Sequence, residues 1–239
     1  MKKSKDFFLH IVTNLALALL ILSVGFVCLY PSGKEVSSQK GETGIYRKGG
    51  CSDGVSLMFN VYENTETVER ILEILKVHGA KATFFVGGVW AEKNESCLKN
   101  ILSDGHELGN HGYFHKDHAN LSEQGNLEEI SACNQLITLA TGYRPVLFAP
   151  PSGAYNEHTL TVAQKLGMTT VLWSRDTVDW RDKDEKTVYT RATKNIGSGD
   201  LILMHPKEHT ANALSDILNY FKTHALRAVT VTENLQIGG

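Results

Sequence analysis

The chain has 239 residues, 42% apolar and 21% charged, which fits one globular domain with a further segment and excludes a disordered or collagenous chain. A net charge of −2 gives no footprint for nucleic acid, so none is expected as a partner. The four cysteines show no C-x-x-C spacing, which argues against a zinc ribbon.

Residues 11–30 carry no Asp, Glu, Lys or Arg and follow Met1-Lys2-Lys3-Ser4-Lys5. At about 1.5 Å per residue such a helix spans the roughly 30 Å hydrocarbon core of a bilayer. The basic flank puts the N-terminus inside and the remainder outside. Gly25-Phe26-Val27-Cys28 is neither an A-x-A cleavage site nor a lipoprotein box. The expected arrangement is therefore a signal anchor over residues 1–30, single-pass in the cell membrane; the alternative is a signal peptide and secretion. Residues 31–50, rich in Ser, Gly, Lys and Glu, read as an exposed linker, and residues 51–239 as the extracytoplasmic domain. Cys28 falls in the apolar segment. Cys51, Cys97 and Cys133 lie beyond it, an odd number that allows at most one internal disulfide or three thiols.

From Val55, apolar runs alternate with amphipathic segments. Residues 55–59 read as a buried strand, and 65–77 as a helix with Val68, Ile71, Leu72 and Leu75 at helical spacing, closed by Gly79. A strand follows at 81–86, a helix at 95–103, a strand at 106–109, and a long helix at 121–140 with Ser122 as N-cap and Gly142 as its end. A strand at 146–149 leads to a helix that begins after Asn156 and runs to Leu166. Strands at 169–173, 201–204 and 228–231 alternate with helices at 184–196 and 210–224.

About seven β/α units predict an α/β fold with a parallel sheet, either a closed or nearly closed barrel or an open doubly wound sheet. Polar residues cluster just after the strand ends, at Asn60, His111 and His115, 150–153, 176–180 and His205. The barrel is favoured, because loops at those ends share one mouth.

The strongest local signal is Gly105-His-Glu-Leu-Gly-Asn-His-Gly-Tyr-Phe-His115. His111 and His115 are four apart, so on a helical turn both rings would face the same way, a spacing that suits zinc or a similar divalent metal. Together with Ala82-Thr-Phe-Phe-Val86, Pro150-Pro-Ser-Gly-Ala-Tyr-Asn156, Asp176-Thr-Val-Asp-Trp180 and Leu203-Met-His205, this segment resembles the polysaccharide deacetylase family. That family is the NodB-homology domain of carbohydrate esterase family 4, and the resemblance runs from about Val55 to Leu235.

It implies a distorted (β/α) barrel that hydrolyses N-acetyl groups of a cell-wall glycan such as peptidoglycan, with a divalent metal at His111 and His115. His205 matches the general acid and Asp179 the carboxylate that orients it. Trp180 and Leu203 match the lining of the acetyl pocket, and the backbone N–H at Ser152 an oxyanion donor.

The departures lie on one side. Where active members carry T-F-D-D-G, this chain has Met58-Phe59-Asn60-Val61-Tyr62. The first Asp is the base and the second the third metal ligand. Asn60 cannot accept a proton from water near neutral pH, Val61 cannot bind a metal, and Tyr62 sets a ring at the mouth. The Arg that holds the base is Ala149. An Arg without its carboxylate would be a costly unpaired charge, so the two losses belong together.

Glu63, Asp117 and His118 are nearby groups that could supply a third ligand, and Glu63 a substitute base. His106 reads as a packing residue. Three functions stay open: a deacetylase with a rearranged site, a catalytically inactive cell-wall glycan-binding pseudoenzyme, and a structural or partner-binding domain.

Overall fold

The computed structural model describes residues 44–237. The expected membrane segment lies outside them, and none of the described helices is long and apolar enough to cross a membrane.

The centre of the sheet is β2 (Gly54–Val61), buried along its whole length. Its side chains alternate as strand geometry requires. Val55, Leu57, Phe59 and Val61 join the large apolar cluster that also holds the buried faces of the helices. Met58 packs in a second cluster with Phe85, Leu147, Val171 and Leu201, the concave interior of the sheet. The same alternation puts Asn60 on the inner face and Val61 on the outer.

Around β2 stand β1 (Ile45–Tyr46), β3 (Thr83–Val86), β4 (Glu107–Asn110), β5 (Leu147–Phe148), β6 (Thr169–Val171), β7 (Arg175–Asp176) and β8 (Leu201–Met204). They are ordered β1-β6-β5-β4-β3-β2-β8-β7, and the short β9 (Arg227–Ala228) joins the start of β2. Every named pair is parallel. No β1–β7 pair closes the ring among the described residues; instead Lys48 makes a single antiparallel bridge to Asp200, just before β8. The result is a curled, incompletely closed parallel barrel.

The crossovers are α1 (Thr65–His78), α2 (Gly88–Glu92), α3 (Glu95–Ser103), α4 (Glu123–Thr141), α5 (Glu157–Lys165), α6 (Glu185–Thr193) and α7 (Glu208–Thr223). Their ends obey the expected local signals. The Ser122 side chain accepts from Gly125 N–H, and Asn156 and Thr159 form a reciprocal capping box. Gly79 closes α1.

Two expectations are corrected. The C-terminal end of the linker read over 31–50, from residue 44 on, is structured: Ile45 is buried, and β1 pairs with Thr170 and Val171 of β6. A two-residue strand carries no periodicity, so composition alone hid it. The last strand, read over 228–231, stops at Ala228, and Val231–Leu235 forms a further helix, α8. The β-branched run resembled a strand, but the Thr230 side chain accepts from Glu233 N–H and caps a helix there. Cys51, Cys97 and Cys133 are all free thiols, and burial pushes Cys97 up to about 11 and Cys133 to about 12.

Candidate active site

The C-terminal ends of the strands open on a cavity of about 280 Å³. Asn60, His111, His115, Ser152, Trp180, Leu203 and His205 all line it; apart from Leu203, which lies within β8, each was expected just after a strand end. Tyr62, Trp173 and Asp176 complete the wall. Asp179 is fully buried behind His205.

The β8 side is closely wired. His205 Nδ1–H donates to Asp179 Oδ1 at 2.8 Å, and the backbone N–H of His205 donates to Oδ2 at 2.7 Å. Thr210 of α7 donates its hydroxyl to the same Oδ2 at 2.7 Å. The turn that carries Asp179 is held by Asp176 Oδ1, which accepts from Val178 N–H at 2.7 Å while Val178 adopts a left-handed φ of 53°. A β-branched residue there is strained and persists because the neighbouring contacts over-determine it. With Nδ1 engaged, His205 presents Nε2 to the cavity.

The β4 side depends on a loop. The spacing of His111 and His115 suggested a helical turn, but the residues after β4 are non-helical. The ring centroids nevertheless lie 5.0 Å apart. Asn110 Oδ1 accepts from Gly112 N–H at 2.8 Å, while Gly112 and His115 take φ of 72° and 55°. A side chain at position 112 would meet His118 Nε2 at 2.9 Å, so glycine is required on two counts. From α4, the buried Glu129 carboxylate accepts from Tyr113 N–H at 3.0 Å and Phe114 N–H at 2.8 Å, and pairs with Lys116 at 3.0 Å.

Sequence reading missed Glu129 and Trp173. The sign of Glu129 was its place on the buried stripe of α4, with Asn126, Ile130, Cys133 and Ile137.

His111 is fully buried, and its Nδ1–H donates to the Ala149 carbonyl at 2.6 Å. Burial first, then the neighbouring His115, pushes its pKa down to about 3; burial lowers that of His115 as well. Both rings are neutral at pH 7. His111 Nε2 is buried without a partner and carries a free lone pair.

That orphaned nitrogen fits one end of a metal site, but the remaining donors do not fit. Val61, in the position of the third ligand, is buried in the outer cluster among helix side chains. Among the described residues no three His, Cys, Asp or Glu groups converge as metal ligands. Catalytic zinc sites use three protein ligands, so the two imidazoles are an incomplete set.

Of the substitutes weighed from sequence, Glu63 and Asp117 are engaged elsewhere, and His118, whose Nε2 is buried without a partner, joins no cluster of three ligands among the described residues. Glu63 pairs with Lys207. Asp117 accepts from Ala119 N–H and from the Asn120 amide. His118 is buried, donates through Nδ1 to Asn126 Oδ1 at 2.7 Å, and packs on Phe148. His106 is a packing residue, accepting from Ala82 N–H at 3.3 Å with its ring edge-on to Phe84.

Asn60, where the resemblance implies the base, is buried and its Oδ1 has no partner. Beside it the Tyr62 ring lies 4.4 Å from that of His115 and 6.2 Å from that of His205. Ser152 stands at φ 57° on the opening loop.

Residues 48–171 match the sequence profile of the family described as polysaccharide deacetylase. YlxY of Bacillus subtilis is 36% identical over 189 residues, 79% of this chain and 59% of that protein's length. A peptidoglycan-N-acetylglucosamine deacetylase of Bacillus cereus is 34% identical over 187 residues, covering 76% of this chain and 68% of the enzyme. Among solved structures, BA3943 of Bacillus anthracis, a family 4 carbohydrate esterase pseudoenzyme, superposes with a TM-score of 0.77 at 33% identity, covering 80% of this chain and 68% of that one. A mutant of BA3943 with restored enzymatic activity superposes equally well, at 32% identity over 80% of this chain and 71% of that one.

Proposed function

This chain belongs to the polysaccharide deacetylase family as a divergent NodB-homology member, and on that premise we propose that it binds a cell-wall glycan such as peptidoglycan without deacetylating it. One observation carries this reading: Asn60 takes the place of the base, with its amide oxygen buried and unpartnered. Hydrolysis needs a group that accepts a proton from the attacking water, and an amide does not. The neighbouring Val61 removes a ligand and Ala149 the tether, so three parts of one apparatus are absent together. The similarity to a pseudoenzyme of the same family, of which a mutant has restored enzymatic activity, supports the reading.

The parts that remain suit recognition. His205 Nε2, the Ser152 loop and Asn60 offer hydrogen-bonding groups around a cavity walled by Trp180 and Leu203. A concave pocket with an apolar wall and a few fixed polar groups is the usual form of a small-ligand site. The pair His111 and His115 holds a divalent ion weakly, below the affinity of a resident cofactor. Residues 11–30 act as a signal anchor that keeps the domain outside the membrane, beside the wall.

The test is incubation of the full-length chain with acetylated peptidoglycan, with and without added zinc or cobalt. The chain sediments with the wall and releases no acetate. Acetate release that is lost in His205→Ala overturns the reading, as does failure to sediment. A second reading, slow hydrolysis with a relocated base, rests on Asp176, a carboxylate that lines the cavity. It requires acetate release that Asp176→Asn abolishes.

A further inference from the structure

Resting on the glycan-binding reading, we propose that Tyr62 is the ring on which the bound sugar stacks, with Trp180 as a second aromatic wall. The position is one where active members of the family have glycine, so this ring is a feature of this chain. Its placement is built from both sides. The carbonyl of the preceding Val61 accepts from Gly87 N–H at 2.9 Å. The next residue, Glu63, pairs with Lys207, and Asn64, at a left-handed φ of 61°, donates its side-chain amide to the Pro206 carbonyl at 3.1 Å. These contacts tie the residues after β2 to the loop that carries His205. The ring then rests on the imidazole of His115, while 38% of the residue stays exposed at the cavity.

A held ring that stays partly exposed at a cavity is the form of a stacking platform. Trp180, 52% exposed, offers a second such surface on the same cavity. Tyr and Trp supply large contact area at little conformational cost while leaving polar rims free. A pyranose matches that wall: its faces carry C–H groups and its rim carries hydroxyl and acetamido groups, which Asn60, Ser152 and His205 can meet. At about 280 Å³ the cavity lies near the lower bound for ligand pockets, which fits one sugar unit and not a run of several. The ligand class is therefore an uncharged N-acetylated amino sugar, held ring against ring. The substitution that narrows the approach to the imidazoles is the one that grips the sugar.

The experiment is titration of the full-length chain with the soluble trimer of N-acetylglucosamine, monitored by tryptophan fluorescence and calorimetry. Trp173 and Trp180 both line the cavity and report on occupancy. Tyr62→Ala weakens binding about tenfold, and Tyr62→Leu, which keeps apolar bulk without a ring, weakens it to a similar degree. Tyr62→Phe and Tyr62→Trp stay within about twofold of the unaltered chain. Unchanged affinity in Tyr62→Ala or Tyr62→Leu overturns the stacking role, and so does a loss in Tyr62→Phe equal to that in Tyr62→Ala. If the unaltered chain binds no trimer and does not sediment with the wall, the parent reading falls. If it binds and the variants bind equally, only the role of Tyr62 falls.

Discussion

On the β8 side of the cavity the buried Asp179 carboxylate is matched by three donors, whereas on the β2 and β4 side Asn60 Oδ1 and His111 Nε2 are buried with none. The difference bears on how retained residues are read. From sequence, His205 and Asp179 match a general acid and the carboxylate that orients it. In the fold, Asp179 also joins the turn after β7 to the backbone after β8 and to the first turn of α7. Packing and hydrogen bonding alone would preserve it. Asn60, where the family resemblance implies the base, has no such ties: its Oδ1 is buried without a partner. A site can lose the half that serves only chemistry and keep the half that also serves the fold.

The largest test of this contrast is Asp179→Ala. It leaves three donors without their acceptor in a buried setting, and is expected to cost about 4 kcal/mol of stability, read as a lower urea midpoint. A loss below about 1 kcal/mol would mean that the acid half is held by something other than this network.

A second test uses an imidazole outside both halves. Burial first, then Lys81, lowers the pKa of His106 to about 4 from its ordinary 6.5. Between those values the unfolded chain binds a proton that the folded chain refuses, so stability is complete above about pH 6.5 and falls as the pH drops toward 4. The contribution is about 3 kcal/mol. His106→Gln should lose less stability between pH 7 and pH 4 than the unaltered chain, by about that amount. Equal acid sensitivity in both would move the cause to the imidazoles of the cavity.

A smaller effect is expected at Glu129. Glu129→Ala removes the acceptor of two loop amides and the partner of Lys116, which should cost about 2 kcal/mol. It should also broaden the His111 and His115 resonances, because the loop that joins them loses its clamp. Sharp, unshifted resonances would show that Asn110 and Gly112 hold the loop without help.

The smallest is Asn60→Ala. It removes a buried polar oxygen that has no partner, so stability should stay within about 0.5 kcal/mol of the unaltered chain. A cost close to that of Asp179→Ala would erase the contrast between the two sides.

Much of the fold was legible because its signals are local. Helical spacing, caps such as Ser122 and Asn156, and glycines at helix ends act over a few residues, and most of the elements fall close to where those signals place them. The motifs also place Asn60, His111, His115 and His205 after strand ends, and the parallel sheet gathers them at one mouth. Four short elements escaped the sequence reading: β1, β7, α2 and α8.

The sequence by itself determined that this is a β/α chain of the deacetylase family, with Asn60, Val61 and Ala149 where the resemblance implies a base, a third metal ligand and a tether. Only the tertiary structure decided what those replacements do. The pleat of β2 turns Asn60 inward and buries Val61 among the helices. A loop clamped by Asn110 and Glu129, not a helical turn, brings His111 to His115. Contacts across the mouth lay the Tyr62 ring on His115. The reason is range: residue type and period act along the chain, whereas the direction of a side chain and the satisfaction of a buried polar atom depend on partners that folding brings from far away in sequence.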